Sequence, residues 1–163
     1  MNVEEAYQHW AGQYDTNLNK TRDLEAKALM ADLNTVRFQN CLEIGCGTGK
    51  NTTFLMTKGE QIVSVDLSEN MLAIARQKIT AKNVTFLKAD LNGEWNFTHQ
   101  KFDLIVCSLV LEHIENIRRI FQQMDKHLLP GGIVYIGEFH PFRQYSGSKP
   151  RFQHEDGEEQ EVP

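Results

Sequence analysis

The chain predicts an α/β fold built on a doubly wound, mostly parallel sheet, and three observations carry that expectation. Short apolar, β-branched runs alternate with amphipathic segments of helical period, the pattern of repeated β-α-β units. The first run leads directly into Gly45-Cys46-Gly47-Thr48-Gly49 and then into a helical segment. A strand, a glycine turn and a helix are how doubly wound sheets open onto a ligand. Finally, three successive runs close on an acid, Glu43, Asp66 and Asp90, and such sheets bind at the carboxyl ends of their strands.

The elements follow in order. Residues 1–35 read as helical: Tyr7, Trp10 and Tyr14 fall at intervals of three and four, on one side of a short helix. Thr21-Arg22-Asp23-Leu24-Glu25 starts a second helix with an N-cap residue and acids in its first turn, and both features favour a helix start. Leu24, Ala28, Ala31 and Leu33 form its expected apolar face. Cys41 to Ile44 is the first strand. Lys50 to Lys58 reads as a helix closed by Gly59. Ile62 to Val65 is the second strand, ending at Asp66. Ser68 caps a helix whose stripe is Met71, Leu72, Ala75 and Ile79. Val84 to Leu91 holds the third strand and Asp90. Asp103 to Cys107, almost continuously apolar, is a fourth strand covered on both faces. Ile117, Ile120, Phe121, Met124 and Leu128 mark an amphipathic helix that Pro130-Gly131-Gly132 ends, and Ile133 to Gly137 is the fifth strand. Helices alternating with strands imply right-handed crossovers and a largely parallel sheet.

Length and composition bound the rest. With 163 residues, 40% hydrophobic and 24% charged, the chain suits one domain with a sizeable core. We expect that domain over 1–143, its N-terminal helices included, followed by an acidic loop or disordered end over 144–163. The last twelve residues hold five acids and no Lys or Arg, against a net charge of −5. The remainder is therefore neutral, which gives no electrostatic footprint for nucleic acid. No apolar run approaches the roughly 20 residues that span a bilayer. The start, Met1-Asn2-Val3-Glu4-Glu5, is acidic where a leader peptide would be basic. Cys41, Cys46 and Cys107 show neither a disulfide framework nor a zinc spacing, and unpaired thiols suit the cytoplasm. Cys46 reads better as a small residue filling a turn than as a reactive thiol.

The loop is not a dinucleotide fingerprint. Counted from Gly45 and Gly47, the third glycine of G-x-G-x-x-G would stand where Lys50 does. Glu43 lies two residues before the first glycine, where a carboxylate repels a phosphate and suits a cationic ligand. A phosphate-free adenosine compound bearing positive charge, such as S-adenosylmethionine, meets both conditions. Asp66 is 19 residues after Gly47, about the separation of an acid that binds ribose hydroxyls.

With these residues in place, the chain resembles the class I S-adenosylmethionine-dependent methyltransferases. The matching segments are Leu42–Gly49, Val63–Leu72, Val84–Leu91, Phe102–Ile114 and Leu128–Glu138, in family order. The resemblance implies a Rossmann-like sheet with strand order 3-2-1-4-5. The family's last two strands, an antiparallel pair beside the fifth, are absent from this chain. It implies S-adenosylmethionine as the methyl donor and S-adenosylhomocysteine as product. Glu43, Gly45, Gly47 and Gly49 would meet the methionine end, and the Ser108 backbone the ammonium. Asp66 would bind the ribose. Met71, Asp90 and the Leu91 backbone would meet the adenine, and Tyr14, in a Tyr-Asp pair with Asp15, would close over the donor.

Methyl transfer from a sulfonium is an in-line displacement that needs positioning and water exclusion more than a fixed catalytic set. A protonated acceptor needs a base. His113 and His140, beyond the fourth and fifth strands, are the candidates, and Glu138 is a further residue that could face the substrate. The acceptor is expected to be a small molecule of unspecified identity. The alternative is a non-catalytic S-adenosylmethionine-binding module or partner subunit. A nicotinamide-dependent oxidoreductase is disfavoured by Lys50 and Glu43. No metal site is expected. An uncovered fifth-strand edge invites pairing with another chain. Either the chain is a fragment, the favoured reading, or a homodimer covers that edge.

Overall fold

The computed structural model describes residues 19–140 and the backbone of 151–153 and 159–161. The helix expected around Tyr7, Trp10 and Tyr14 lies outside the described residues. Helix α1 spans Lys20–Leu33 and is followed by β1, Asn40–Ile44. A single turn, α2 at Thr52–Leu55, leads to β2, Gln61–Asp66, α3, Glu69–Lys78, and β3, Val84–Lys88. Strand β4, Phe102–Ser108, passes through a 3₁₀ turn at Leu111–His113 into α4, Ile117–His127, and β5, Leu128–Gly137.

The five strands form one parallel sheet in the order β3-β2-β1-β4-β5. The strand order reverses between β1 and β4, the point where open α/β sheets leave a crevice at their carboxyl edge. Asp103 fixes that junction from the other end: its two carboxylate oxygens accept from the N–H groups of Gln39 and Asn40 at 2.8 Å each.

Alternation along β1 sorts the core into two faces. Leu42 and Ile44 pack with Val63, Ile105, Trp95, Ile120 and Met124 beneath α4. Cys41 packs with Leu29, Leu33, Leu55, Ile62 and Leu104 beneath α1 and α2. Glu43 shares parity with Cys41, so its carboxylate enters the face covered by α1 and α2.

Four boundaries differ from the expectation. Helix α1 is capped by Asn19, whose side chain accepts from the N–H groups of Thr21 and Arg22. Its inner face is Arg22, Glu25, Ala26, Leu29 and Leu33, while Leu24 is 67% exposed. Two charged residues occupy inward positions, so the apolar period points to the wrong side. The helix after the glycine loop is one α turn rather than nine residues, because turns flank it on both sides. Helix α4 buries Ile120, Gln123 and Met124 and leaves Ile117 and Phe121 exposed. Gln123 is held inside by bonds to the Trp95 N–H and the Glu94 carboxylate. The helix stops at His127, and Pro130-Gly131-Gly132 lies within β5. Phe102 pairs with Leu128 but Leu104 with Ile133, so the intervening residues bulge from the ladder, with Gly131 at φ 79°.

The tail, expected to be loop or disorder, contains two short strands, β6 at Arg151–Gln153 and β7 at Glu159–Glu161, paired antiparallel in a separate sheet.

Candidate active site

A cavity of about 380 Å³ lies at the carboxyl edge of β1, β2 and β4, within the size range of small-ligand sites. Glu43 and Asp66 both line it, so the strand-end acids share one space.

The floor is Glu43. It is 3% exposed, and one carboxylate oxygen accepts from the hydroxyls of Thr52 at 2.5 Å and Ser64 at 2.7 Å. Burial pushes its pKa up to about 7, against the pull of those two hydroxyls. Charge on this carboxyl is therefore conditional at neutral pH.

The glycine loop rises beside it. Gly45 at φ 70°, Gly47 at 54° and Gly49 at 81° occupy the left-handed region that glycine enters without penalty. A Cβ on Gly45 would stand 2.1 Å from a methyl of Val110, so the loop abuts the segment that leaves β4. Gly45 and Gly47 line the cavity; Gly49 does not. A Cβ there would meet Ile79 and Ala75 of α3, so Gly49 packs the loop against that helix and stands outside the set expected to touch ligand. Cys46 is buried in the loop, where burial raises its thiol pKa well above the usual range. This fits a filling role.

Asp66 ties the loop to the next turn. One oxygen accepts from the Gly47 N–H at 2.8 Å, the other from the Ser68 N–H at 2.9 Å. Burial raises its pKa, opposed by these backbone bonds. Ser68 in turn caps α3 by accepting from the Met71 N–H. Met71 and Leu91 are buried and face the cavity. The Leu91 carbonyl accepts from the Trp95 indole. Asp90, exposed at the rim, accepts from the Asn92 N–H. Ser108 closes the far side at the tip of β4, its hydroxyl bonded to the Asn51 amide at 3.2 Å.

Beyond Ser108 the backbone turns sharply. Leu109 has φ 55°, a conformation costly for a branched side chain. Its N–H donates to the Gly137 carbonyl, while Glu138 accepts from the N–H groups of Val110 and Leu111 at 2.8 Å each. Glu138 is thus a brace between β5 and the post-β4 segment, and it does not line the cavity, contrary to its expected orientation towards substrate. His113 does line it. Burial lowers the His113 pKa, favouring the neutral imidazole. Its Nε2 lies 3.6 Å from Glu112, whose own pKa burial and Glu138 raise to about 7. His140 is exposed and not among the lining residues, because the chain passes β5 before reaching it. Tyr14 lies outside the described residues. No group of His, Cys, Asp and Glu suited to a metal ion occurs among the described residues.

The cavity also recruits residues that sequence reasoning missed. Arg22 and Glu25 of α1 and Asn51 of the post-glycine turn line it. Glu25 accepts from Asn51 at 3.2 Å and from the Tyr135 hydroxyl at 3.3 Å. The available signal was their spacing: Arg22, Glu25 and Leu29 fall on one helical face, with two charges where an apolar stripe belongs. Lys50 lines the cavity as well, ion-paired with Asp23.

Comparison with known proteins agrees with this geometry. A family model described as a methyltransferase domain matches residues 42–136, more than half the chain. A malonyl-[acyl-carrier protein] O-methyltransferase of Enterobacter lignolyticus (strain SCF1) is 30% identical over 116 residues, covering 71% of this chain and 45% of that protein. A demethylmenaquinone methyltransferase of Tropheryma whipplei (strain Twist) is 32% identical over 107 residues, covering 64% of this chain and 44% of that protein. The chain thus spans less than half the length of these relatives. Among solved structures, the DhpI–S-adenosylhomocysteine complex superposes with a TM-score of 0.77 at 22% identity, covering 98% of this chain and 77% of that one. An S-adenosylmethionine-dependent methyltransferase from Mesorhizobium loti gives 0.68 at 29% identity, covering 80% and 62%.

Proposed function

This chain belongs to the class I S-adenosylmethionine-dependent methyltransferase family, and from that premise we propose that it transfers a methyl group from S-adenosylmethionine to a small-molecule acceptor. The observation that carries the proposal is the single cavity shared by Glu43, Asp66, Asp90 and Ser108 at the β1–β4 switch point. The residues present fit the donor. Acids face a ligand with two cationic groups and no phosphate, and a buried oxygen of Asn51 has no hydrogen-bond partner among the described residues.

Bound there, S-adenosylmethionine supplies a methyl group already activated by its sulfonium. The protein's own contribution is then to hold, orient and keep dry. Asp66 would hold the ribose hydroxyls, Met71 and Leu91 the adenine, and Glu43 and the loop the methionine end. Val110 and Ile114 line the cavity and would supply apolar wall to the acceptor. His113, held neutral by burial, would take a proton from a hydroxyl or amine acceptor at its ring nitrogen. The relatives' names, malonyl-[acyl-carrier protein] O-methyltransferase and demethylmenaquinone methyltransferase, support an acceptor other than nucleic acid.

Titration calorimetry of the full chain with S-adenosylhomocysteine tests the donor site, with saturable binding expected. Turnover of labelled donor against a metabolite pool tests the reaction. Absence of binding removes the proposal; binding without any turnover leaves the non-catalytic module as the answer.

A further inference from the structure

The segment that leaves β4 forms one wall of the cavity: Leu109, Val110, His113, Ile114 and Glu115 all line it. Leu109, at φ 55°, is alone among the described non-glycine residues in the left-handed region. A residue with a bulky side chain keeps that conformation only where its surroundings impose it, and such strain collects at functional sites. Here the surroundings can be named. The Leu109 N–H donates to the Gly137 carbonyl at 2.8 Å. One carboxylate oxygen of the next residue, Glu138, accepts from the N–H groups of both Val110 and Leu111 at 2.8 Å. Those two N–H groups open the 3₁₀ turn Leu111–His113, where Val110 offers no side-chain cap, so neither has a partner within the turn. At the far end, the Asn92 side chain accepts from the Glu115 N–H at 3.1 Å. Val110 itself packs against the glycine loop, where a Cβ on Gly45 would strike its methyl.

We propose that Glu138 is a positioning residue for methyl transfer: by holding the Val110 and Leu111 N–H groups it keeps the Leu109 turn, and so sets where Val110 and His113 stand against the acceptor. The inference rests on the function proposed above. Glu138 does not line the cavity, so it acts through the segment it holds. Hydrogen bonds to an ionised carboxylate belong to the stronger class, and two on one oxygen fix consecutive peptide units. The groups assigned to the donor stand on other elements: Glu43 in β1, Asp66 at the end of β2, Met71 in α3 and Leu91 after β3. Losing the hold should therefore shift the acceptor wall and spare the donor. A misplacement of about 1 Å in such a wall costs a rate roughly a hundredfold. The hold needs an acceptor oxygen at this reach rather than a charge. Glutamine keeps that oxygen and alanine removes it.

The test compares the full chain with Glu138→Ala and Glu138→Gln by three measurements: calorimetry with S-adenosylhomocysteine, turnover of methyl-labelled S-adenosylmethionine against a metabolite pool, and amide hydrogen exchange over residues 109–115. Glu138→Ala should bind S-adenosylhomocysteine within about threefold of the wild type, lose turnover about tenfold or more and exchange faster over 109–115. Glu138→Gln should restore turnover to within about threefold of the wild type. Should Glu138→Ala not fold, Glu138→Asp, whose shorter side chain withdraws the oxygen, replaces it with the same split expected. Undiminished turnover in Glu138→Ala overturns the inference. So does an equal loss of binding and turnover, which marks a role in the fold alone. Glutamine as impaired as alanine also overturns it, because charge and not the hold then matters. A wild type that binds S-adenosylhomocysteine but turns nothing over rejects the reaction itself, and this role with it.

Discussion

Asp66 holds two backbone N–H groups, from Gly47 and Ser68, and lines the cavity, so it both shapes the loop and forms part of the candidate site. Asp66→Ala should weaken S-adenosylhomocysteine binding by about 2 kcal/mol, the scale of losing a charged hydrogen-bond partner, as measured by calorimetry. Glu43 makes a prediction about pH. Its folded pKa lies above its ordinary value, 4.5 against about 7, so the folded state binds the proton more tightly. Stability from this group is full below 4.5, declines as pH rises to about 7, and is flat beyond. The loss should amount to about 3 kcal/mol at roughly 1.4 kcal/mol per pH unit. Urea denaturation across that range should show the decline in the wild type and a flatter profile in Glu43→Gln. At this scale the sequence was legible where an acid ends a strand: Glu43, Asp66 and Asp90 converge as expected. Glu25 was not, because a Glu on a helix ordinarily faces water and only the cavity explains why this one does not. The brace made by Glu138 was equally hidden, since it depends on where Leu109 turns.

At the level of elements, the glycine loop and the segment leaving β4 are a single joint. Gly45→Ala would add a Cβ at φ 70° and 2.1 Å from Val110, and should cost roughly 3 kcal/mol through strain and overpacking. Chemical denaturation measures the loss, and ligand affinity should fall with it because Val110 lines the cavity. Helix α1 depends on its cap: Asn19→Ala should cost about 1 kcal/mol, read as a lower denaturation midpoint. Strands were legible because β1, β2 and β4 are buried on both faces and read as continuous apolar runs. Helix faces were less so. Polar Gln123 faces inward on α4, and Arg22 and Glu25 do so on α1, so periodicity alone turned both helices. Leu128 to Gly132 looked like a helix end followed by a turn. Pairing with β4 draws it into the sheet, a tertiary effect that no local pattern shows.

For the whole molecule, the strand order β3-β2-β1-β4-β5 places the cavity at the carboxyl edge of the sheet. A ligand that binds only the folded chain stabilises it by mass action. S-adenosylhomocysteine at a hundredfold excess over Kd should add about 2.7 kcal/mol and raise the melting midpoint by roughly 5–10 °C, as followed by circular dichroism. No helix of the described residues is long and apolar enough to cross a membrane. Sheet order was legible through the family resemblance, which implied it; the alternation of strands and helices by itself implied only a largely parallel sheet.

The buried acid beneath the glycine loop has a thermodynamic consequence. Near neutrality Glu43 still holds its hydrogen ion part of the time, and a sulfonium compound settling above it would favour the bare carboxylate. Capture of the ligand should then discharge a fraction of a hydrogen ion into the medium, and the heat of association should differ between phosphate and Tris by that fraction of their ionisation enthalpies.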